Sequence, residues 1–447
     1  MSALAVTVLA VAMFAPPPRG ANVRPPTPDL ILHDAVVISM DANVRGATAI
    51  AIRGTRIQAV GSEGAILPLA GPDTKILDLD GRVLLPGFIE SHGHWIGDRG
   101  LVGIDTPREA IDGALSVGWT TLDELFVNQD RLDELRELSE AGDLHIRVNG
   151  YLPVNYSTDR FGIWFKAYHQ GERFGSRFRL AGVKFFIDRC DPAHLFTTQP
   201  HLDGDEDHGT VFWKRQALTR LVERVHRLGW TIAAHACGDA ALDWILGAIA
   251  HAYHGGPSTR RDRIEHLILV RNDQLARLRR MRVIASFQLT FVDSEWATPL
   301  VQTVGPHRAR WAGRWRDLVD GGILVTGSTD TPYDFPFAEG VRRSPMDAIF
   351  QAVTKIGAVG ATPPAWMLRQ RLTVTQALRL LTIDGAYATS DEDRLGSITP
   401  HKLADLVVLE QDPRAVPVSS IPEISTVLTM VGGRVQYCAA DAAAVCG

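Results

Sequence analysis

Between residues 83 and 328, short apolar runs alternate with amphipathic stretches, and this alternation restricts the fold more than any other feature. Strand-like runs fall at 83–92, 119–124, 145–151, 181–187, 230–235, 263–267, 282–287 and 322–328. The segments between most of them carry apolar residues at three and four spacing, as an amphipathic helix requires, most clearly at 216–228 and 239–253. Gly118, Gly229 and Gly321 or Gly322 stand where a helix must stop before the next strand. Eight strands alternating with helices over about 300 residues predict an α/β fold, a (β/α)8 TIM-type barrel.

The chain on either side of this region reads differently. From residue 29 to 85 the pattern is one of short strands separated by Gly, Asp or Asn, the mark of a small antiparallel sheet. Asp80-Gly81 reads as a hairpin turn ahead of Val83. A last helix is read over 374–388. The β pattern then returns at 396–398, 404–409, 427–431 and 434–437, with Gly432-Gly433 as a hairpin. The two ends predict one discontinuous β-sandwich, residues 29–85 and 390–437, flanking a barrel of residues 86–389.

Residues 1–28 stand apart from both. Ala3 to Ala15 is apolar and is followed by three prolines, which resembles a signal peptide but lacks a basic residue ahead of it. The segment is too short for a bilayer span, and no other stretch is long and apolar enough. Residues 1–28 are read as an extension, cleaved or disordered. The expected location is cytoplasmic, with export the alternative. A formal charge of −5 gives no reason to expect nucleic acid or an anionic membrane as partner. The expected partner is a small-molecule substrate, and the composition allows a homo-oligomer. The four cysteines, Cys190, Cys237, Cys438 and Cys446, show no CxxC spacing and no disulfide framework; Cys438 and Cys446 are close enough to pair if the protein is exported, but the extreme C-terminus is expected to be loose.

A barrel of this kind works at the carboxyl ends of its strands, so the polar residues there carry the functional reading. The first run ends in His92-Gly93-His94, whose i and i+2 side chains share a face. The fourth contains Lys184 inside Val183-Lys184-Phe185-Phe186, the fifth ends in His235, the sixth in His266, and the eighth is followed by Asp330. Each has an ordinary alternative: a core histidine, a helix cap, a snorkelling lysine, a turn aspartate. Independent accidents would not select the same end of five strands. Imidazole and carboxylate without thiolate suit a borderline-soft ion such as Zn²⁺. Cys237, two residues beyond His235, is read as packing. A lysine buried beside metal is driven neutral and can then add CO₂, forming a carbamate that bridges two ions as a carboxylate does.

Six stretches, in this order, resemble the amidohydrolase superfamily of metal-dependent hydrolases: Pro86–His94, Gly182–Phe186, His235–Asp239, Ile264–His266, Gly327–Pro332, and Gly396–Ile398 with Ala404–Leu409. The likeness runs from about residue 29 to 437 and is greatest to the branch that includes N-substituted formamide deformylase. It implies His92, His94 and Asp330 on one metal, His235 and His266 on a second, and Lys184 as the carboxylated bridge. It also implies the split β-sandwich. One departure stands out. Only 24 residues separate His94 from Trp119, where members of that branch carry a long insertion that helps to wall the substrate pocket.

The expected reaction is hydrolysis of a C–N bond in an amide or cyclic amide. Metal lowers the pKa of a bound water, the resulting hydroxide attacks the carbonyl, and Asp330 shuttles the proton to the leaving nitrogen. Glu265, adjacent to His266, and Asp239 are supporting candidates behind the ligands, with N-cap of its helix the equal alternative for Asp239. Trp95, Gln288 and Tyr333 are candidates for the substrate pocket. The alternative within enzymes is a mononuclear hydrolytic deaminase of a heterocycle. The alternative outside them is a non-catalytic metal-containing binding protein, which would be expected to lack a ligand.

Overall fold

The computed structural model describes residues 26–154, 166–202, 204, 206–333, 344–357 and 360–446. The first 25 residues of the expected extension therefore lie outside the described residues. Eight parallel strands form the barrel: β1 (Phe88–Gly93), β2 (Trp119–Glu124), β3 (Arg147–Val154), β4 (Phe178–Phe186), β5 (Ile232–Ala236), β6 (Arg263–His266), β7 (Ile284–Gln288) and β8 (Val325–Ser328). They are ordered as the chain visits them. The ring closes where β8 meets β1. There Ser91 Oγ donates to Gly327 O at 2.7 Å, and the amide of Asp330 donates to His92 O at 3.0 Å. Glu90 accepts the Thr329 amide at 2.8 Å across the same seam.

The helices pack outside the ring for the reason their pattern gives. In Arg215–Arg227, for example, Leu218, Val222 and Val225 are buried, spaced four and three apart, while arginines take the other face. The helix read over 374–388 is two helices, Val374–Leu380 and Ile383–Ala388, which meet at Leu381-Thr382.

The run read as one strand over 83–92 is also two. Val83–Pro86 pairs antiparallel with Leu406–Leu409, and β1 begins at Phe88. Between them the chain passes from one sheet to another at Gly87. A Cβ there would lie 2.3 Å from the Thr120 side chain, so only glycine fits. Hydrophobic periodicity cannot report this crossing, because the run is buried on both sides of it. The hairpin expected at Asp80-Gly81 is likewise absent. Lys75–Asp78 belongs to a four-stranded sheet and Val83–Pro86 to a five-stranded one.

These two sheets are built from both chain ends. The four-stranded sheet holds Leu30–His33, Ala49–Arg53, Arg56–Gly61 and Lys75–Asp78. The five-stranded sheet joins Val36–Val37 and Val83–Pro86 to Leu406–Leu409, Thr426–Val431 and Arg434–Cys438. Leu32, Ile50 and Leu77 from the first share one apolar core with Leu84, Leu406, Val408 and Leu428 from the second. The first sheet is not purely antiparallel, since Leu30–His33 runs parallel to Lys75–Asp78.

All four cysteines are paired, which corrects the expectation of no disulfide framework. Cys438 joins Cys446 near the C-terminus, and Cys190 joins Cys237 across 47 residues. The second pair follows from the barrel itself. β4 and β5 are neighbours in register, with Phe186 opposite His235, so residues just beyond their ends come together. Among the described residues, no helix is long and apolar enough to cross a membrane.

Candidate metal centre

The strand ends bring the six expected residues to one point. Asp330 Oδ1 lies 3.4 Å from His92 Nε2 and 3.4 Å from His94 Nε2. Asp330 Oδ2 is 3.8 Å from His266 Nδ1. Lys184, fully buried, places its Nζ 3.2 Å from His92 Nε2. Ring centroids of His92 and His266 are 4.8 Å apart, and those of His235 and His266 are 4.4 Å apart. His266 and Asp330 both sit at positive φ, 76° and 65°. Ordinary residues hold that left-handed conformation at a cost, typically where the surrounding structure fixes a working side chain.

Two of these rings are oriented from behind. His92 Nδ1 donates to Glu265 Oε2 at 2.6 Å, and His266 Nδ1 donates to the amide oxygen of Gln288 at 2.7 Å. A carboxylate and an amide oxygen can only accept, so each ring keeps Nε2 free of a proton. Glu265 is held in turn by Arg263, which also reaches Asp123 Oδ2 at 3.1 Å and the carbonyl of Ser91. Burial alone would push the Glu265 carboxyl up, but Arg263 and Lys184 outweigh it and hold it below the usual range. Burial, reinforced by the nearby cations and histidines, keeps His92, His235 and His266 neutral, well below the ordinary imidazole value. It also drives the Lys184 amine down to about 8, against the pull of Glu265 and Asp330.

These residues fit a divalent ion. Among the described residues, His266 Nε2 and Asp330 Oδ1 are buried with no hydrogen-bond partner. Leaving such atoms unpaired costs about 1–3 kcal/mol each. Neutral imidazole nitrogens and a carboxylate oxygen converging within 4.8 Å, as in His92, His266 and Asp330, are donors that one divalent ion would satisfy together.

The structure does not place every expected residue at the site. Trp95 is 4% exposed and packs in the barrel's main apolar core, not on the cavity wall. Gln288 orients His266 from behind instead of facing substrate. Asp239 faces away, accepting from Thr198 Oγ1 at 2.5 Å and Arg271 Nη1 at 2.6 Å. The helix cap is Gly238, with Asp239 its first residue. Glu265 supports His92 across the barrel, not its own neighbour His266. Tyr333 does line the cavity, and its hydroxyl donates to Asp98 Oδ2 at 3.0 Å.

Several contributors escaped sequence reasoning. Asp188 follows β4 and accepts from the amides of Cys237 at 2.9 Å and Gly238 at 2.7 Å, tying the end of β5 to that of β4. The clue was its position two residues beyond a strand that already carried Lys184. Cys237 packs in an apolar cluster with Leu195 and Ile268, as expected, and Cys190 and Cys237 also reach His235 Nε2 at 3.5 and 3.4 Å. The mouth of the centre opens into a cavity of about 770 Å³ with apolar walls from Phe126, Phe186, Phe291 and Trp296. Arg189, Asp191 and Glu295 stand among its polar lining. Arg189 and Asp191 come from the loop after β4, and Glu295 and Trp296 from a short helical turn, Ser294–Trp296, after β7, where no periodic pattern marks a residue.

Comparison with known proteins agrees with this geometry. A family model described as the amidohydrolase family matches residues 106–437. N-substituted formamide deformylase from Arthrobacter pascens is 23% identical over 92% of this chain and 98% of its own length. Imidazolonepropionase from Symbiobacterium thermophilum is 27% identical over 83% of this chain and 85% of its own length. The chain spans only 43% of the length of two other relatives, YtcJ of Bacillus subtilis and LONG AFTER FAR-RED 3 of Arabidopsis thaliana. Among solved structures, an uncharacterized metal-dependent hydrolase from Pyrococcus horikoshii superposes with a TM-score of 0.73. Its sequence identity is 20%, over 87% of this chain and 99% of that one.

Proposed function

The chain belongs to the amidohydrolase family, and from that premise we propose that it holds two divalent ions, Zn²⁺ foremost, and hydrolyses the C–N bond of an amide or cyclic amide. The observation that carries this reading is the position of Asp330, whose Oδ1 is 3.4 Å from both His92 Nε2 and His94 Nε2 and has no hydrogen-bond partner among the described residues. In this reading His92, His94 and Asp330 hold one ion, and His235 and His266 hold the other. A bound divalent ion supplies a Lewis acid for the carbonyl and makes water a stronger acid.

The chain's own residues supply the rest. Lys184, its amine lowered to about 8, is a nucleophile for CO₂. Its nitrogen would form the new bond to carbon, opening one C=O of CO₂ and releasing one proton, and the resulting carbamate would offer its oxygens as metal donors. Asp330 takes the proton of the attacking water and passes it to the leaving nitrogen. The aromatic wall of Phe126, Phe186, Phe291 and Trp296 excludes water and selects a substrate with an apolar group beside its amide. The relatives' names point to two starting panels, N-substituted formamides and cyclic imidazolone-type amides.

The test is metal content together with turnover on those panels. Two equivalents of metal per chain, with hydrolysis that stops on chelation and returns with Zn²⁺, is the expected result. One equivalent with ammonia released from a heterocycle would replace this reading by a deaminase. Tight amide binding without turnover on a broad panel would replace it by a binding protein.

A further inference from the structure

The pair Cys190 and Cys237 has no part in the reaction above, yet it touches the centre. Cys190 lies just beyond β4 and Cys237 just beyond β5, and they are joined as a disulfide. Both sulfurs face one atom: Cys190 Sγ is 3.5 Å and Cys237 Sγ 3.4 Å from His235 Nε2. Donor atoms of Cys190, Cys237, His235 and His266 all lie within 4.8 Å of one another. Ligands at about 2.0–2.3 Å from a tetrahedral ion are separated by roughly 3.5 Å. The four groups are thus within a small adjustment of a two-sulfur, two-nitrogen site. Cys237 is fully buried, and Cys190 is half-buried and lines the cavity, where an external reductant can reach it.

We propose that Cys190 and Cys237 are a redox-controlled ligand pair. As thiolates they complete, with His235 and His266, a four-donor site for a soft divalent ion such as Zn²⁺, which leaves that ion no open position for water or for a Lys184 carbamate and so stops the proposed reaction; as a disulfide they withdraw and open the site. The inference rests on the reading that His235 and His266 face a metal. The switch is chemically complete. An external dithiol gives two electrons and two protons to the S–S bond, is itself oxidised to a disulfide, and leaves two thiols. Binding of the ion then displaces the two thiol protons. Asp188 holds the Cys237 and Gly238 amides from the β4 side through contacts that involve neither sulfur.

The geometry also separates this pair from the other one. Cys438 and Cys446 lie on the five-stranded sheet and the C-terminal segment, and Cys446 packs against the core shared by the two sheets. They serve as an internal control.

The experiment uses the full chain, oxidised or reduced with a phosphine that contributes no thiol, and loaded anaerobically with Co²⁺. Reduced protein should show a thiolate-to-cobalt charge-transfer absorption in the near ultraviolet, and metal should shield two thiols from alkylation. Oxidised protein should show neither. Cys190→Ser or Cys237→Ser should remove the absorption and weaken Zn²⁺ binding by more than the roughly 10–100-fold typical of an outer-shell change. Cys438→Ser should leave both unchanged. The comparison of oxidised with reduced wild type needs no variant, so a poorly folding serine mutant does not rescue the idea. If reduced, cobalt-loaded wild type lacks the absorption, the sulfurs are not ligands. Oxidised protein that turns over no amide, with the absorption present on reduction, would strike the proposed reaction and leave this inference standing. Turnover by oxidised protein, with no absorption on reduction, would do the reverse.

Discussion

Glu265 accepts the Nδ1 proton of His92 at 2.6 Å from the opposite side of the barrel, and so turns His92 Nε2 toward Asp330 and Lys184. One carboxylate thereby fixes both the tautomer and the direction of a proposed ligand. Arg263 holds that carboxylate ionised. The arrangement predicts that Glu265→Gln weakens metal binding by about 10–100-fold while the barrel stays folded. Chelator competition read by metal content, alongside circular dichroism, measures both. Unchanged affinity would mean that His92 is oriented by its backbone alone.

Asp330 separates binding from chemistry. Asparagine keeps an oxygen for the ion but cannot carry a proton at neutral pH. Asp330→Asn should therefore lower kcat by about 100- to 10,000-fold and retain most of the metal. Substrate affinity should change little, since Asp330 lies at the centre and not on the apolar wall. A variant that keeps more than a tenth of wild-type kcat would remove Asp330 from the proton path.

The barrel and its working end were legible because two signals met there. Strand period marked where each run stopped, and His92, His94, Lys184, His235, His266 and Asp330 broke an otherwise apolar pattern at those stops. What stayed hidden depends on contacts between distant segments. The Gly87 crossing is set by Thr120, which lies in another strand. The Cys190–Cys237 pair is set by the register of β4 against β5, not by sequence spacing. Trp95, one residue past a ligand, looked placed for substrate. The chain turns there, with the His94 amide bonded to Thr331 O and the Ile96 amide to Glu124 Oε1 at 2.8 Å. That turn sends the indole into the core. Gln288 sits at a strand end as expected, but its role was assigned by the ring it meets.

The cavity wall gives a prediction about selectivity. Trp296 stacks on Phe291 with centroids 5.8 Å apart, and Phe291 stacks on His266. Trp296→Ala removes apolar wall without touching a proposed ligand. For a substrate with an apolar group beside the amide, KM should rise about tenfold or more, the equivalent of 1.5–3 kcal/mol of lost burial. The change in kcat should be smaller, and a small polar amide should be affected least. Equal effects on all substrates would show that this wall does not select.

Lys355 gives a test of the scaffold away from the metal centre. It is 1% exposed, its Nζ sits over the ring of Trp315, and among the described residues that nitrogen has no hydrogen-bond partner. Burial holds its amine well below the ordinary value of 10.5, and the Asp293 carboxylate opposes this only in part. The unfolded chain therefore binds more protons than the native one at every pH between the lowered native value and 10.5. Through that window stability from this group rises with pH, and its cost is greatest toward the acid end. Methionine has nearly the same shape and no polar atom to satisfy. Lys355→Met should raise stability at pH 7 by about 1–3 kcal/mol, and the gain should shrink as the pH approaches 10. Unfolding midpoints of both proteins at pH 7 and pH 10 measure it. A loss of stability at pH 7, or a gain that grows with pH, would show that the buried amine is paired and earns its place.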